Sequence, residues 1–213
     1  MRYLLAFLLL LLPVAATAQD DRGFLQGLLE DALSAEGRSV SIQGFEGALS
    51  SRATIDRIAV SDPEGVWLSA EDVALVWSRS ALLGGRIEID EISVGRLALD
   101  RAPVPVDGLP APEASGPFTL PELPVAVQIA QLDIARAEIG APILGEAAAF
   151  GVTGSADLEG GEGNAMLSVE RLDTPASLEL AGRFDNETRA LELRLALEEP
   201  RGGLVAQRIG LAE

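Results

Sequence analysis

Apolar and polar residues alternate along most of this chain, and the stretch from Gly65 to Arg101 shows the pattern most clearly. Its three alternating runs contain, in order, Val73, Leu75 and Trp77, then Ile87 and Ile89, then Leu97 and Leu99. Alternation at period two places one set of side chains on one face of a strand and the other set on the opposite face. Glycines between the first two runs allow a tight turn. The stretch therefore predicts an antiparallel meander with one apolar face and one charged face.

The same alternation predicts strands on both sides of a proline-rich segment. Seven of the twelve prolines lie between Ala102 and Pro124, a density that no central strand tolerates, so residues 104–124 are predicted to be a linker or a flap over a sheet edge. This divides the β structure into a first region, 38–103, and a second region, 125–213. The further predicted strands are 39–43, 55–60, 125–129, 147–158, 166–172, 177–184 and 191–197.

A short pattern of apolar residues recurs within these strands: apolar, two residues, apolar, one residue, apolar. Its copies are Ile55, Ile58 and Val60, then Ile89, Ile92 and Val94, then Ile129, Leu132 and Ile134, with a partial copy at Val169 and Leu172. The break after the first position shifts a strand by one residue, as a β-bulge does. Repeated bulges can curl an antiparallel sheet into an open, elongated trough. Chance similarity among strands rich in leucine and isoleucine is the alternative explanation.

The N-terminus has the pattern of an export signal. A basic Met1-Arg2 precedes the apolar run Tyr3–Leu12, and Ala16-Thr17-Ala18 offers a cleavage site, so residues 1–18 are predicted to be a signal peptide or an uncleaved signal anchor. We expect the rest of the chain in a bacterial periplasm. Residues 19–37 have apolar positions at helical spacing and predict a short amphipathic helix, which either closes the end of the sheet, lies against a membrane or packs on its own core.

Composition narrows the chemistry. The 213 residues carry a net charge of −17, which disfavours nucleic-acid binding. The chain contains neither cysteine nor histidine, so disulfides, thiol nucleophiles, Ser-His-Asp triads and the usual zinc ligands are excluded. Asp62 and Glu64 resemble calcium ligands, but an ordinary turn explains them. Asp90 and Glu91, as neighbours on a strand, are expected to point to opposite faces. We therefore expect no enzymatic activity, no metal and no cofactor.

At this point the first region resembles a known family. Its stretches 44–47, 58–62, 65–68, 73–77, 82–87 and 92–103 follow one another as in the N-terminal part of the TamB/AsmA-like proteins, with the best match from about Val40 to Pro103. The resemblance implies a taco-shaped sheet with an aliphatic concave face. It also implies a place at the inner membrane of a Gram-negative bacterium and roles in phospholipid transport and outer-membrane protein assembly. Such proteins are much longer, and their C-terminal domain, which meets a TamA-like outer-membrane partner, has no counterpart here, which suggests a fragment.

Two interpretations of the apolar residues stay open, as do two functions. The predicted residues that line a lipid groove are Val73, Leu75, Trp77, Ile87, Ile89, Leu97, Leu99, Val127 and Ile129. Alternatively, the same side chains pack against a second sheet in a closed sandwich. For function, the leading hypothesis is a groove that shields acyl chains during phospholipid transport. Its competitor is an assembly factor whose last strand, Leu191 to Leu197, pairs with client β-strands.

Overall fold

The strands form one nine-stranded sheet in a computed structural model that describes residues 26–27, 30–31, 34, 37–47, 50–104 and 125–208. In chain order they are β1 (Ser39–Gln43), β2 (Arg52–Asp62), β3 (Gly65–Ser78), β4 (Arg86–Leu99), β5 (Ala126–Ile139), β6 (Ala148–Glu159), β7 (Glu162–Arg171), β8 (Ser177–Asp185) and β9 (Ala190–Glu198). Three short helices lie among the described residues that follow β3: α1 (Arg79–Leu83), α2 (Ala141–Leu144) and α3 (Leu204–Arg208). The strands lie side by side in sequence order, so β1 and β9 are the two edges.

The mainly β prediction is confirmed, and the predicted strands lie where alternation placed them. The prediction of three strands between Gly65 and Arg101 is wrong, however, because the second and third runs belong to one long strand, β4. The predicted signal peptide or anchor at 1–18 lies outside the described residues, as does 105–124 of the proline-rich segment. Of the predicted helix at 19–37, the described residues 26, 27, 30 and 31 are helical.

The sheet is mixed rather than antiparallel. Every neighbouring pair is antiparallel except β4 and β5, which run parallel from Arg86 beside Ala126 to Leu99 beside Ile139. A parallel pair needs a connection of a dozen or more residues to return the chain, and the proline-rich segment lies between these two strands. The parallel register is offset by 40 residues, so the second and third copies of the repeated pattern lie side by side.

Bulges keep the apolar residues on one face, as the repeat predicted for these two copies. β4 carries one extra residue, Asp90, relative to β3, and β5 carries two irregularities relative to β6. The first copy of the pattern, Ile55 to Val60, does not lie level with the second copy. The residues of β3 that pair with it pair in turn with Val94, Leu97 and Leu99 of β4. The fourth copy ends outside β7.

A further irregularity in the alternation of side chains lies at Asp72, in the centre of the sheet. This residue has φ of 54°, an uncommon value for a non-glycine residue, and its side chain lies beside Gly95 on β4. A Cβ at Gly95 would approach the Cβ of Asp72 to 2.9 Å, so glycine is needed there. At Asp72 and Gly95 the alternation of side chains shifts by one residue in both β3 and β4. Apolar residues on either side of this shift, such as Val94 and Leu97, therefore share a face.

The described sheet has no large buried core. Its buried apolar side chains are chiefly alanines, with Ile42, Val94 and Phe184. The large aliphatic residues of the apolar face are half-buried, and those of β9 are exposed. In a closed sandwich the inward residues of both sheets would be enclosed. The apolar face of the described sheet is therefore open to solvent over much of its area.

Candidate apolar binding face

Rows of apolar residues run across the sheet from strand to strand. The register places one row through Ile55, Val73, Val94, Ile134, Val152, Val169, Leu178 and Leu197. The next row contains Ala53, Leu75, Ile92, Leu132, Gly154, Leu167, Leu180 and Leu195. Because directly paired residues share a face of a sheet, these rows make one continuous surface, which we call the apolar face.

The nine residues predicted from sequence to line a groove all lie on the apolar face and are half-buried. Trp77 pairs with Ile89, which pairs with Ile129, and Ile87 pairs with Val127. The apolar face also extends over β6 to β9, where none of the nine predicted residues lies. The alternation of Phe150 and Val152 on β6 and of the leucines on β8 and β9 was the available signal.

The apolar face is large. Strands β3, β4 and β5 each have 14 residues, so at about 3.3 Å per residue they are about 46 Å long. Eight strands about 4.8 Å apart make a width of about 34 Å. The face is therefore on the order of 1,000 Å², above the few hundred Å² that is ordinary for a soluble protein.

Trp77 is held at the rim of the apolar face by hydrogen bonds to the loop before β2. Its indole Nε1 donates to the carbonyl oxygen of Ser50 at 2.8 Å, and its backbone nitrogen donates to the carbonyl oxygen of Ser51 at 2.9 Å. The ring is thereby fixed beside Leu75 and Ile89 with its polar atom satisfied. A half-buried indole in this position is a natural reporter of anything that binds to the face.

One end of the apolar face deepens into a pocket of about 400 Å³. Leu144 of α2 and Leu204 of α3 contribute to its walls, and Phe150, Val169 and Leu178 come from the sheet. Glu199 holds α3 in place, because its carboxylate accepts hydrogen bonds from the backbone nitrogens of Val205 and Ala206.

Arg171 is the basic residue in the lining of this pocket, which also includes the acidic Glu199. Its guanidinium donates to Asp173 at 2.7 Å and forms an ion pair with Glu146 at 2.9 Å. These hydrogen bonds, the one to Asp173 above all, raise the pKa of Arg171 above its ordinary value. Since two carboxylates engage one guanidinium, the positive charge of Arg171 is fully neutralised by its own ion pairs.

The opposite face carries a line of alternating charges over four strands. Arg57 pairs with Glu71 at 3.5 Å, Glu71 with Arg96 at 3.5 Å, and Arg96 with Glu138 at 2.6 Å. Arg136 also donates to Glu138 at 2.6 Å, and its hydrogen bond, with that of Arg96, lowers the pKa of the Glu138 carboxyl. Exposed pairs of this kind contribute little stability each, but they keep this face polar and soluble.

The Asp62 turn resembles a metal site in sequence but is occupied by the chain itself. Arg101 donates to both carboxylate oxygens of Asp62, at 2.6 and 2.7 Å, and the backbone nitrogens of Glu64 and Val104 donate to them as well. The side chain of Asp62 is 1% exposed. These hydrogen bonds, that of Arg101 above all, hold the pKa of Asp62 well below its usual range. The clamp fixes the first residues after β4 against the β2–β3 turn.

Other candidate chemistry is sparse in the described part of the chain. Asp90 is the extra residue of a bulge in β4. Side chains do not alternate regularly at a bulge, so the expectation that Asp90 and Glu91 point to opposite faces does not apply there. Among the described residues no group of three or more acidic side chains is arranged to hold a metal ion. No helix in the described ranges has the length and apolar character needed to cross a membrane.

Comparison of the chain with models of protein families, with characterised proteins and with solved structures found no match.

Proposed function

We propose that the apolar face is a lipid-binding trough that shields acyl chains during phospholipid transport between inner and outer membranes. The observation that carries this proposal is a continuous apolar face with large side chains that are half-exposed. Apolar surfaces of this size mark sites that bind proteins, membranes or apolar ligands, or surfaces that are prone to aggregation. The resemblance of the first β region to the TamB/AsmA-like proteins supports a lipid as the ligand and a curled, trough-like shape for the sheet.

The energetics favour an acyl chain on this surface. Each methylene moved from water to an apolar environment gains about 0.8 kcal/mol, and contact on one side gains about half of that. A tail of about sixteen carbons would therefore gain on the order of 6 kcal/mol before the costs of association. The net charge of −17 favours placing a phospholipid headgroup in solvent rather than against the protein. In this proposal the protein binds the tail and not a particular headgroup.

The sequence supports a cellular setting for this proposal. The export signal supports a periplasmic protein, cleaved or anchored at the inner membrane, and the family resemblance supports a contribution to outer-membrane protein assembly. In this proposal a TamA-like outer-membrane protein is the partner on the outer-membrane side. Binding requires neither a cofactor nor a catalytic residue.

Native mass spectrometry of the protein purified from membranes in mild detergent, followed by lipid extraction, tests the proposal. Leu75→Asp places a charge on the apolar face, and Val76→Asp places the same charge on the next residue of β3, which is also half-buried but faces the other side. We expect bound phospholipid with the wild type and with Val76→Asp, and its loss with Leu75→Asp while the β signal in circular dichroism persists.

Two outcomes would count against the trough. A lipid-free wild type that also protects Leu75→Cys from labelling would indicate a face closed by a second layer. Loss of the β signal with Leu75→Asp alone would indicate that Leu75 belongs to a packed core. The competing function, an assembly factor without lipid, predicts crosslinks to client β-strands at β9 and equal behaviour of the two aspartate variants.

A further inference from the structure

The two edges of the sheet differ in how their backbone groups are covered. At the β1 edge, the carboxylate of Glu30 accepts from the backbone nitrogen of Ile42 at 2.6 Å, and Gln26 donates to the carbonyl oxygen of Ile42 at 2.6 Å. The hydroxyl of Ser34 accepts from the backbone nitrogen of Val40 at 3.0 Å. Edge strands with unsatisfied backbone groups pair readily with other chains. Side chains from the segment before β1 therefore block this edge.

The neighbouring part of that edge is also covered. Beyond the end of β1, Thr54 of β2 exchanges two backbone hydrogen bonds with Glu46, at 2.9 and 3.0 Å. This isolated bridge occupies β2 where β1 does not reach it. The first edge of the sheet is therefore closed to an incoming strand along much of its length.

The β9 edge is open in the described residues. All nine residues of β9 are exposed, and its four leucines, 191, 193, 195 and 197, keep between 39% and 63% of their surface in solvent. The segment after β9 turns at Pro200–Gly203 and leads into α3 at the pocket, on the apolar face rather than along the edge. A long, apolar and uncovered edge strand is a site where another strand is expected to pair.

The sequence of β9 is complementary to itself in one antiparallel register. When Leu193 lies opposite Leu193 of a second copy, Leu191 lies opposite Leu195, and Glu192 lies opposite Arg194, on both sides of the two-fold axis. A shift of two residues in one direction places Arg194 opposite Arg194, and a shift in the other direction places Glu192 opposite Glu192. A shift of one residue places leucines opposite charged residues and turns the apolar face over. Opposite charges across a strand pair stabilise it and like charges destabilise it.

We propose that two copies of this chain pair through β9 in this antiparallel register and form a closed two-fold dimer. The two-fold axis is perpendicular to the sheet, so the apolar faces of both copies lie on the same side and form one surface of double width. The blocked β1 edges lie at the two ends of the combined sheet. Because they do not pair further, the assembly stops at two copies instead of growing into a fibre. The proposal rests on the sheet edges and does not depend on lipid binding.

Cysteine crosslinking of the full chain tests both the partner and the register, because the wild type contains no cysteine. We expect Leu193→Cys to form a covalent homodimer with a short bis-maleimide, since the two copies of position 193 are directly opposite. Leu195→Cys alone serves as the matched control on the same face, and its two copies would be separated by four residues along the strands. A mixture of Leu191→Cys and Leu195→Cys chains should give the mixed dimer.

Charge exchange tests the register independently. Glu192→Arg alone or Arg194→Glu alone creates like-charge pairs on both sides of the axis, and sedimentation equilibrium should show dimer dissociation constants raised about tenfold or more. The double variant Glu192→Arg/Arg194→Glu restores opposite pairs and should return to wild-type association. Circular dichroism checks that each variant keeps its β structure.

Several results would overturn the dimer. A wild type that sediments as a monomer at all concentrations, equal self-crosslinking at positions 193 and 195, or growth into polymers would each contradict it. Crosslinks from position 193 to a different protein, without homodimer, would assign the β9 edge to a client strand instead.

Discussion

Lengthening a bound alkyl chain tests how much of that chain the apolar face covers. Fully enclosing a methylene gains about 0.8 kcal/mol. An open single-layer face contacts a chain on one side, so about half of that value, 0.4 kcal/mol, is expected for each added methylene. Because about 1.4 kcal/mol is a factor of ten in affinity, each methylene should tighten binding about twofold, and four methylenes about 15-fold. A closed cavity would instead give about fourfold for each methylene, or about 200-fold for four.

Alkyl maltosides with ten to fourteen carbons, titrated below their critical micelle concentrations, provide this series without a headgroup charge. Emission from Trp77 reports binding, since its ring lies on the apolar face. The protein has two tryptophans, and Trp67→Phe leaves Trp77 as the single reporter. This substitution removes a buried indole nitrogen that has no hydrogen-bond partner among the described residues, so we expect the fold to tolerate it. Leu75→Asp in the same background is the control for binding elsewhere.

The slope decides between the alternatives. About twofold for each methylene supports an open face, and about fourfold supports an enclosed cavity. Affinity that does not depend on chain length, or that Leu75→Asp leaves unchanged, would contradict binding at the apolar face, because the gain could then not come from apolar contact there.

Two further predictions concern stability. Leu195 is 58% exposed and Phe184 is 9% exposed. Leu195→Ala should therefore lower the free energy of unfolding by about 1 kcal/mol, and Phe184→Ala should lower it by about 3 kcal/mol or more. Urea denaturation of dilute protein measures both changes, and equal losses of stability would indicate that β9 is covered. Since the pKa of Asp62 is lowered in the folded protein, its carboxylate stabilises the fold at neutral pH, and this contribution is lost as the pH falls below about 4. We expect Asp62→Asn to be less stable than the wild type at pH 7 but to lose less stability on acidification, and parallel pH profiles for the two proteins would contradict this.

The strands could be predicted because alternation reports directly which side chains share a face. Val73, Leu75 and Trp77 are on one face of β3, and the predicted residues of β4 and β5 join them. Alternation does not report chain direction, however. The break after Ile89 was consistent with either a turn or a bulge, and the structure resolves it as a bulge within β4.

The parallel pairing of β4 with β5 could not be predicted from pattern either. An antiparallel hairpin and a parallel crossover place the same apolar residues on the same face, and the difference lies in where the connection leads. The 40-residue spacing between Ile89 and Ile129 was the available signal, because equal offsets along two strands are what a parallel register produces. The open β9 edge and the blocked β1 edge depend on contacts between distant residues, such as Glu30 with Ile42, which no local pattern reveals.

Photocrosslinking with a phospholipid that carries a diazirine in its acyl chain shows which face of the sheet the acyl chain touches. After irradiation and digestion, mass spectrometry locates the adducts. We expect adducts on the apolar face, at residues such as Leu75, Ile92 and Leu180, and few on the opposite face at Arg96 or Glu138. Adducts spread equally over both faces, or absent from the apolar face while lipid remains bound, would contradict this expectation.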